Sequence, residues 1–571
     1  MPETGVLVAG DSLNDLSMFQ LGTHGVVTAN AEPQLLARLA TAPQVHRPPL
    51  DGAAAILAAL ERLGWVERPR RVVIGYHRPP VHWSQGRWRE PCSPNGILPT
   101  LTSLLSTGAD EDELDAVWAA ATTDDVDMAA PAPTRFPLAL LPVPANQWAG
   151  YFHGACKETL WPALMSHDHL IRQGGAWWAD YEAFNSAFTQ HICSHADHGG
   201  TVWLHDYNLW LVPGLLKEQR PDLTVGLFHH TPFPRPDTFR RLPAAEQLRT
   251  SLLQLDWAGF HTPDFADNFL HVLSGAPRIP RIGVHPLGID HHSVAALARS
   301  RAPMARADPR SLLVLSVERL DYAKAPLQKI RALGALLERH PALRGRLRYR
   351  LICPPPAPGI RAYDTTRAEL ERAITALNSQ WRQPEWEPVT YVPRSLPFAE
   401  VIDHYLAADV FWVTSLADGM NLTAQEYLVA QAATNRSGVL VLSRYAGAAH
   451  CLHKAALLTD PHSDRDLLDV LHTALVMTPA QRRANTRRLN RLLNAPAPAE
   501  WARAVIAAIR DEKTPGVRSR HWTGSPAALF SAPRGDAAWT AIPVAMAPSL
   551  TRARWSGSPK RPRHVRTLGV R

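Results

Sequence analysis

Leu312-Leu-Val-Leu-Ser-Val-Glu-Arg-Leu-Asp-Tyr-Ala-Lys324 is the stretch on which the fold turns. Its first six residues, Leu312–Val317, form an apolar run without polar alternation, which predicts a strand buried on both faces of a parallel sheet. Arg319 and Lys324 follow at once, on a loop at the strand's C-terminal end. Open α/β sheets bind ligands at such ends. Two fixed cations there suit a diphosphate, whose negative charge grows as a bond to it breaks. An arbitrary Arg/Lys pair is more often a solvated surface pair; the motif context reverses that preference.

Working outward, further candidate strands lie at Tyr349–Ile352, Thr390–Val392, Val410–Thr414, Val439–Leu442 and Ala456–Thr459. Upstream, a first series passes through Val72–Tyr76, Leu138–Val143, Val202–Leu204, Thr224–Phe228, Trp257–His261 and Ile282–His285. Strands alternating with helices in two successive series predict two Rossmann-like domains facing a cleft, 71–288 and 289–512, closed by a crossing helix at Glu500–Arg510. Ahead of them, 1–66 opens on a strand at Gly5–Ala9, continues with Gly25–Thr28 and ends in an amphipathic helix over about 51–66. That piece is too small for an independent α/β domain. No internal repeat of 20–50 residues is visible.

The 571 residues carry 60 Lys+Arg against 52 Asp+Glu, a formal charge of +8. Segment 513–571 holds eleven basic residues and one acid, Asp536, a net +10, so residues 1–512 sum to −2. The overall basicity is therefore not a nucleic-acid surface of the folded body. The Pro-, Gly-, Ser- and Arg-rich segment itself reads as a disordered basic tail. Five widely spaced cysteines without a C-x-x-C pair fit a reducing, cytoplasmic compartment better than a disulfide framework. No leader and no long apolar run is present, so neither secretion nor a membrane partner is expected. Only seven of the 60 basic residues are lysines, which makes a lysine inside a motif more informative than an arginine.

A second motif, Asp418-Gly-Met-Asn-Leu422, follows the Val410–Thr414 strand and leads into a helix, with Glu426 one turn further. Backbone N–H groups at a helix N-terminus hold anions or hydroxyls. Asp418 can accept hydroxyl hydrogen bonds and Glu426 can reach a ribose; the plainer alternative is an N-cap aspartate and an exposed helix glutamate. In the first series, Asp206 ends one strand (Trp203-Leu-His-Asp-Tyr207) and His230 another (Phe228-His-His-Thr-Pro-Phe-Pro234), so a carboxylate and an imidazole face the cleft. Tyr76-His-Arg-Pro79 offers Arg78 to a phosphate, and Ser93-Pro-Asn-Gly-Ile97 offers Gly96 as a glycine loop. Trp161, in Leu160-Trp-Pro162, either lines a sugar pocket or is a core tryptophan.

Together these motifs resemble the trehalose-6-phosphate synthase family of retaining glycosyltransferases over about 71–510. Val-Glu-Arg-Leu-Asp-Tyr-x-Lys and Asp-Gly-Met-Asn-Leu are the most specific parts of that resemblance. It implies a two-domain GT-B fold plus an incomplete N-terminal phosphatase segment. It further implies that Arg319 and Lys324 bind the diphosphate of a nucleotide diphosphate glucose, and Glu426 its ribose. Asp418, Met420, Asn421 and Leu422 would hold glucose and diphosphate, partly through backbone N–H groups. Asp206 and His230 would sit beside the transferred glucose and Gly96 near the donor phosphate. Such a site requires no metal, because the two cations replace it. A catalytically silent regulatory homologue would be expected to have lost Arg319, Lys324 or Glu426; all three are present.

The acceptor side departs from the family. Where the family has an arginine that contacts the phosphate of glucose 6-phosphate, Pro354-Pro-Pro-Ala-Pro358 places Ala357. The family tyrosine with the same task aligns with Phe152, beside Tyr151. Those losses, with the Ser93–Pro99 and Ala417–Leu422 variants, resemble the sister group of glucosylglycerol-phosphate synthases. They imply glycerol 3-phosphate as the acceptor and an osmoprotectant product, with glucose 6-phosphate as the alternative. Arg78, Phe152 and Trp161 are the expected acceptor-side residues. Gly10-Asp-Ser-Leu-Asn-Asp15 resembles the last motif of haloacid-dehalogenase-type phosphatases, in which Asp11 and Asp15 would help hold Mg²⁺. An upstream Asp-x-Asp and the motif's lysine are missing, so 1–66 is expected to be a phosphatase remnant without activity.

Overall fold

The computed structural model describes residues 6–511, apart from Gly22, 66–70, 90–97, Pro99, 103–113, Asp125, 127–131, Arg135, 302–310, 357–358 and 494–495. Gly96, Ala357 and the segment 513–571 thus lie outside the described residues.

The N-terminal piece is a small parallel sheet of β1 (Leu7–Gly10), β2 (His24–Val27) and β3 (Val45–His46). Helices Pro33–Leu39 and Gly52–Arg62 pack on it, burying Leu35 and Leu39 on one side and Ala55 and Ala59 on the other. It has a core of its own, though a short one.

The first large sheet contains β4 (Val72–Gly75), β7 (Ala116–Thr122), β8 (Leu138–Pro142), β9 (Thr201–His205), β10 (Thr224–His229), β11 (Trp257–Phe260) and β12 (Arg281–Val284). Their spatial order is β12-β11-β10-β9-β4-β7-β8, parallel throughout. A hairpin of β5 (His82–Ser84) and β6 (Arg87–Arg89) stands apart. The second sheet holds β13 (Leu312–Val317), β14 (Leu347–Ile352), β15 (Val389–Val392), β16 (Val410–Val413), β17 (Val439–Ser443) and β18 (Leu457–Thr459), in the order β15-β14-β13-β16-β17-β18. Both are doubly wound, and the strand order reverses between β4 and β9 in one and between β13 and β16 in the other. Ligands of such sheets bind beyond the strand ends at that reversal. Lys324 and Asp418 follow the two strands at the second reversal; Arg78 and Asp206 follow those at the first.

Four strands were not expected from the sequence, the short β3, β5 and β6 and, in the large sheet, β7. β7 contains Ala119-Ala-Ala121, residues of high helix propensity, yet all seven of its residues are buried between β4 and β8. Packing on both faces overrides the local preference.

The last helix, Pro498–Arg510, leaves the second sheet and packs across the first, its Trp501, Ala502, Val505, Ile506 and Ile509 sharing a core with Val72, Trp203 and Phe228. Trp501 is fully buried, 4.7 Å from the Phe228 ring and 5.8 Å from that of His230, and its Nε1 donates to the His285 carbonyl at 3.0 Å. Trp501→Ala is expected to lower unfolding free energy by about 3–5 kcal/mol. Urea denaturation measures it, and a loss below about 1 kcal/mol would contradict this packing.

Candidate functional site

The loop after β13 is built from the inside. Lys329, fully buried, donates to both carboxylate oxygens of Glu318 at 2.6 Å. Asp321 accepts from the Ala323 amide at 2.9 Å and from the Tyr363 hydroxyl at 3.1 Å. Ala325, at φ 55°, turns the chain into helix Pro326–Arg339. These contacts hold the loop independently of the two cations that it presents.

The loop after β16 meets it because the two strands are neighbours, with Val314 opposite Val410 and Leu315 opposite Phe411. Lys324 Nζ donates to Asp418 Oδ2 at 2.6 Å. The same oxygen accepts from Asn421 Nδ2 at 2.8 Å and Ser415 Oγ at 3.0 Å. Burial opposes ionisation of Asp418, but Lys324 and these two donors outweigh it and hold the carboxyl below its usual range. Asp418 is therefore not the helix cap. That role falls to Asn421, at φ 65°, whose side-chain oxygen accepts from the Ala424 amide at the start of helix Leu422–Ala433. The Leu422 and Thr423 amides have no partner among the described residues. They are free to meet an anion at a helix N-terminus.

Met420 is buried among Trp203, Phe228 and Leu287, and Leu422 packs against the same cluster, so their side chains belong to the core. Glu426, in the helix, accepts from the Tyr405 hydroxyl at 2.9 Å. Burial pushes its carboxyl up to about 7, against the pull of that hydrogen bond. Gly419 touches the other domain: a Cβ there would stand 1.9 Å from the His230 carbonyl oxygen, so only glycine permits the approach.

On that facing side, Asp206 adopts φ 67°, ψ 176°, a conformation L-residues rarely hold and one that clusters at functional sites. Its Oδ1 accepts from the Thr231 hydroxyl at 2.9 Å, which anchors the carboxylate between the ends of β9 and β10. His230 Nε2 lies 3.0 Å from His205 Nδ1. Burial, reinforced by His261 and then His205, holds His230 well below the usual imidazole range, and burial takes His205 to about 3. Both rings are neutral at pH 7. The positive charge of Arg319 is felt on this side, by Tyr76 and Tyr207.

The residues expected on the acceptor side also lie together. The Arg78 guanidinium lies 4.5 Å over the Phe152 ring, and Phe152 and Trp161 are both buried. Tyr151 cannot stand in for the missing family tyrosine: its ring lies 3.6 Å from that of Phe184 and its hydroxyl donates to the Asn208 carbonyl inside the core. Three residues went unread in the sequence: Lys329, Tyr405 and Lys157, the last with its Nζ 3.9 Å over the Trp161 ring. The scarcity of lysine was the available signal for two of them.

Asp11 and Asp15, the pair expected to help hold Mg²⁺, stand in the turn after β1. Asp15 Oδ2 accepts from the Asp11 and Ser12 amides, and Glu32 from the Leu13 amide, so these carboxylates cap the turn. Among the described residues no group of three or more His, Cys, Asp or Glu is placed to hold a metal ion. Nor is any described helix long and apolar enough to cross a membrane.

Comparison with known proteins fits this geometry. The profile of Sucrose-6F-phosphate phosphohydrolase matches residues 1–64, and that of Glycosyltransferase family 20 matches residues 81–511. The glucosylglycerol-phosphate synthase of Pseudomonas anguilliseptica is 35% identical over 587 residues, covering 89% of this chain and 75% of that protein. An E. coli structure bound with UDP-2-fluoro glucose superposes with a TM-score of 0.68 at 26% identity, over 78% of this chain and 99% of that one. The trehalose-phosphate synthase of Burkholderia xenovorans, in complex with glucose-6-phosphate, gives 0.68 at 25% identity, over 77% and 100%. The two facing α/β domains are the GT-B arrangement expected from the sequence. On a family profile that spans both domains and their facing loops, the chain belongs to Glycosyltransferase family 20.

Proposed function

We propose that the chain transfers glucose, with retention at the anomeric carbon, from a nucleotide diphosphate glucose to a small phosphorylated acceptor. The observation that carries this reading is the pairing of Lys324 with Asp418 beside the helix N-terminus at Leu422, at the β13/β16 reversal, with Arg319 on the same loop and Asp206 and His230 opposite. Cations and backbone N–H groups there would stabilise the departing diphosphate as the glucosyl carbon gains oxocarbenium character. The departing diphosphate oxygen would take the acceptor's proton on the same face. Glu426 would accept from the ribose hydroxyls. Asp206, fixed by Thr231, and the neutral His230 would orient the glucose.

Two acceptors are supported by different observations. Glucose 6-phosphate has the greater weight of the comparisons, since the Burkholderia xenovorans structure contains it and superposes over both domains. For glycerol 3-phosphate stand the inward-turned Tyr151, which leaves Phe152 where the family has a phosphate-contacting tyrosine, and the Pseudomonas anguilliseptica relative. An assay crossing ADP-glucose and UDP-glucose with both acceptors, with product identification, separates them. Transfer to one phosphorylated acceptor at a kcat/KM at least about tenfold above the other is the expected outcome. Transfer to neither would overturn the reading.

A further inference from the structure

Lys157 lies in a π-helix, Ala149–Leu160, whose i→i+5 spacing stacks it over Phe152. It is 8% exposed, and its Nζ has no hydrogen-bond or ion-pair partner among the described residues. Aromatic faces surround it instead: Nζ is 3.9 Å from the Trp161 ring centroid, 5.6 Å from Phe152 and 5.8 Å from Tyr207. Cation–π contacts offset only part of the cost of burying an ammonium. Asp321, the carboxylate within its electrostatic reach, is already engaged by the Ala323 amide and the Tyr363 hydroxyl. Burial, with repulsion from Arg319 and Arg78, pulls Lys157 down to about 7. A buried cation flanked by two more, and lacking an acceptor atom among the described residues, is a site short of an anion.

We propose that Lys157 is the acceptor-side anchor, its ammonium binding the phosphate monoester of the acceptor while Arg78 closes over it from the exposed side. This rests on the phosphorylated-acceptor reading above. The aromatic walls add a second property: they exclude water from the phosphate, which strengthens the ion pair. They also explain how the pocket functions with Phe152 in place of a hydroxyl donor. The donor's diphosphate is assigned elsewhere, to the loops after β13 and β16, so Lys157 discriminates acceptors without holding the nucleotide.

The test compares wild type, K157M and K157R. K157M keeps length and apolar packing while removing the charge. Its KM for the phosphorylated acceptor used by wild type, glycerol 3-phosphate or glucose 6-phosphate, should rise about 10- to 100-fold, the worth of a charge-assisted hydrogen bond. KM for unphosphorylated glycerol or glucose, and calorimetric binding of UDP and ADP, should stay within about twofold of wild type. K157R should fall between the other two. Should K157M fail to fold, K157Q is read in the same way. An unchanged KM for the phosphorylated acceptor in a folded variant overturns the assignment, as does a loss confined to nucleotide binding. A wild type that transfers to neither phosphorylated compound overturns the proposed function itself, a different result from either.

Discussion

Lys324→Ala is expected to lower kcat/KM by about 100- to 1,000-fold, the loss typical of one preorganised contact to developing charge, about 2.7–4 kcal/mol. The fold should survive. The loop is held by Lys329 on Glu318, by Asp321 on the Ala323 amide, and by the Thr414 hydroxyl donating to the Lys324 carbonyl at 2.9 Å. None of these uses the ammonium. What the substitution does leave is Asp418 without its counter-ion, in a place where burial opposes its charge. Stability should therefore fall too, since breaking a buried pair strands the remaining charge. The double variant Lys324→Ala, Asp418→Asn separates the effects: melting temperature recovers and turnover does not. Turnover within about tenfold of wild type in Lys324→Ala would remove this residue from the leaving-group role.

Glu426→Gln should change stability and binding in opposite directions. Burial raises the Glu426 carboxyl to about 7, above its value in an unfolded chain. Its contribution to stability is therefore complete below the unfolded value and lost as pH climbs through the folded one. At pH 8 the free enzyme holds a buried carboxylate that the unfolded chain would solvate; the amide removes that burden. Melting temperature of Glu426→Gln should exceed wild type at pH 8, with the difference gone by pH 5. Donor KM should rise about 10- to 100-fold, because an amide oxygen is a weaker acceptor for ribose hydroxyls than a carboxylate. Equal melting temperatures at both pH values would contradict the raised carboxyl. An unchanged donor KM would contradict the ribose contact.

Much of the layout is legible in the sequence. Continuous apolar runs such as Leu312–Val317 and Val410–Thr414 became central strands, because burial on both faces leaves no room for alternation. Positions of the polar loops followed, since a strand end fixes where its next residues emerge. β7 escaped that reading: alanine carries too little apolar signal to show burial and too much helix propensity to suggest a strand. The surroundings of Phe152 and Trp161 were the least legible part, because side-chain direction there, inward for Tyr151 and over Trp161 for Lys157, is set by helix geometry and not by residue type.

By itself, the sequence determined the two α/β series, the phosphate-suited loops at their strand ends, and the confinement of excess positive charge to 513–571. Tertiary structure alone decided which loops meet. Lys324 and Asp418 are 94 residues apart and pair because β13 and β16 are neighbours across a reversal of strand order. Glu318 takes Lys329, Asn421 takes the helix cap in place of Asp418, and Lys157 is buried without an acceptor among the described residues. Residue type and period record how a side chain interacts with water. Partnership is a matter of distance, and distance exists only once the sheets have closed on each other.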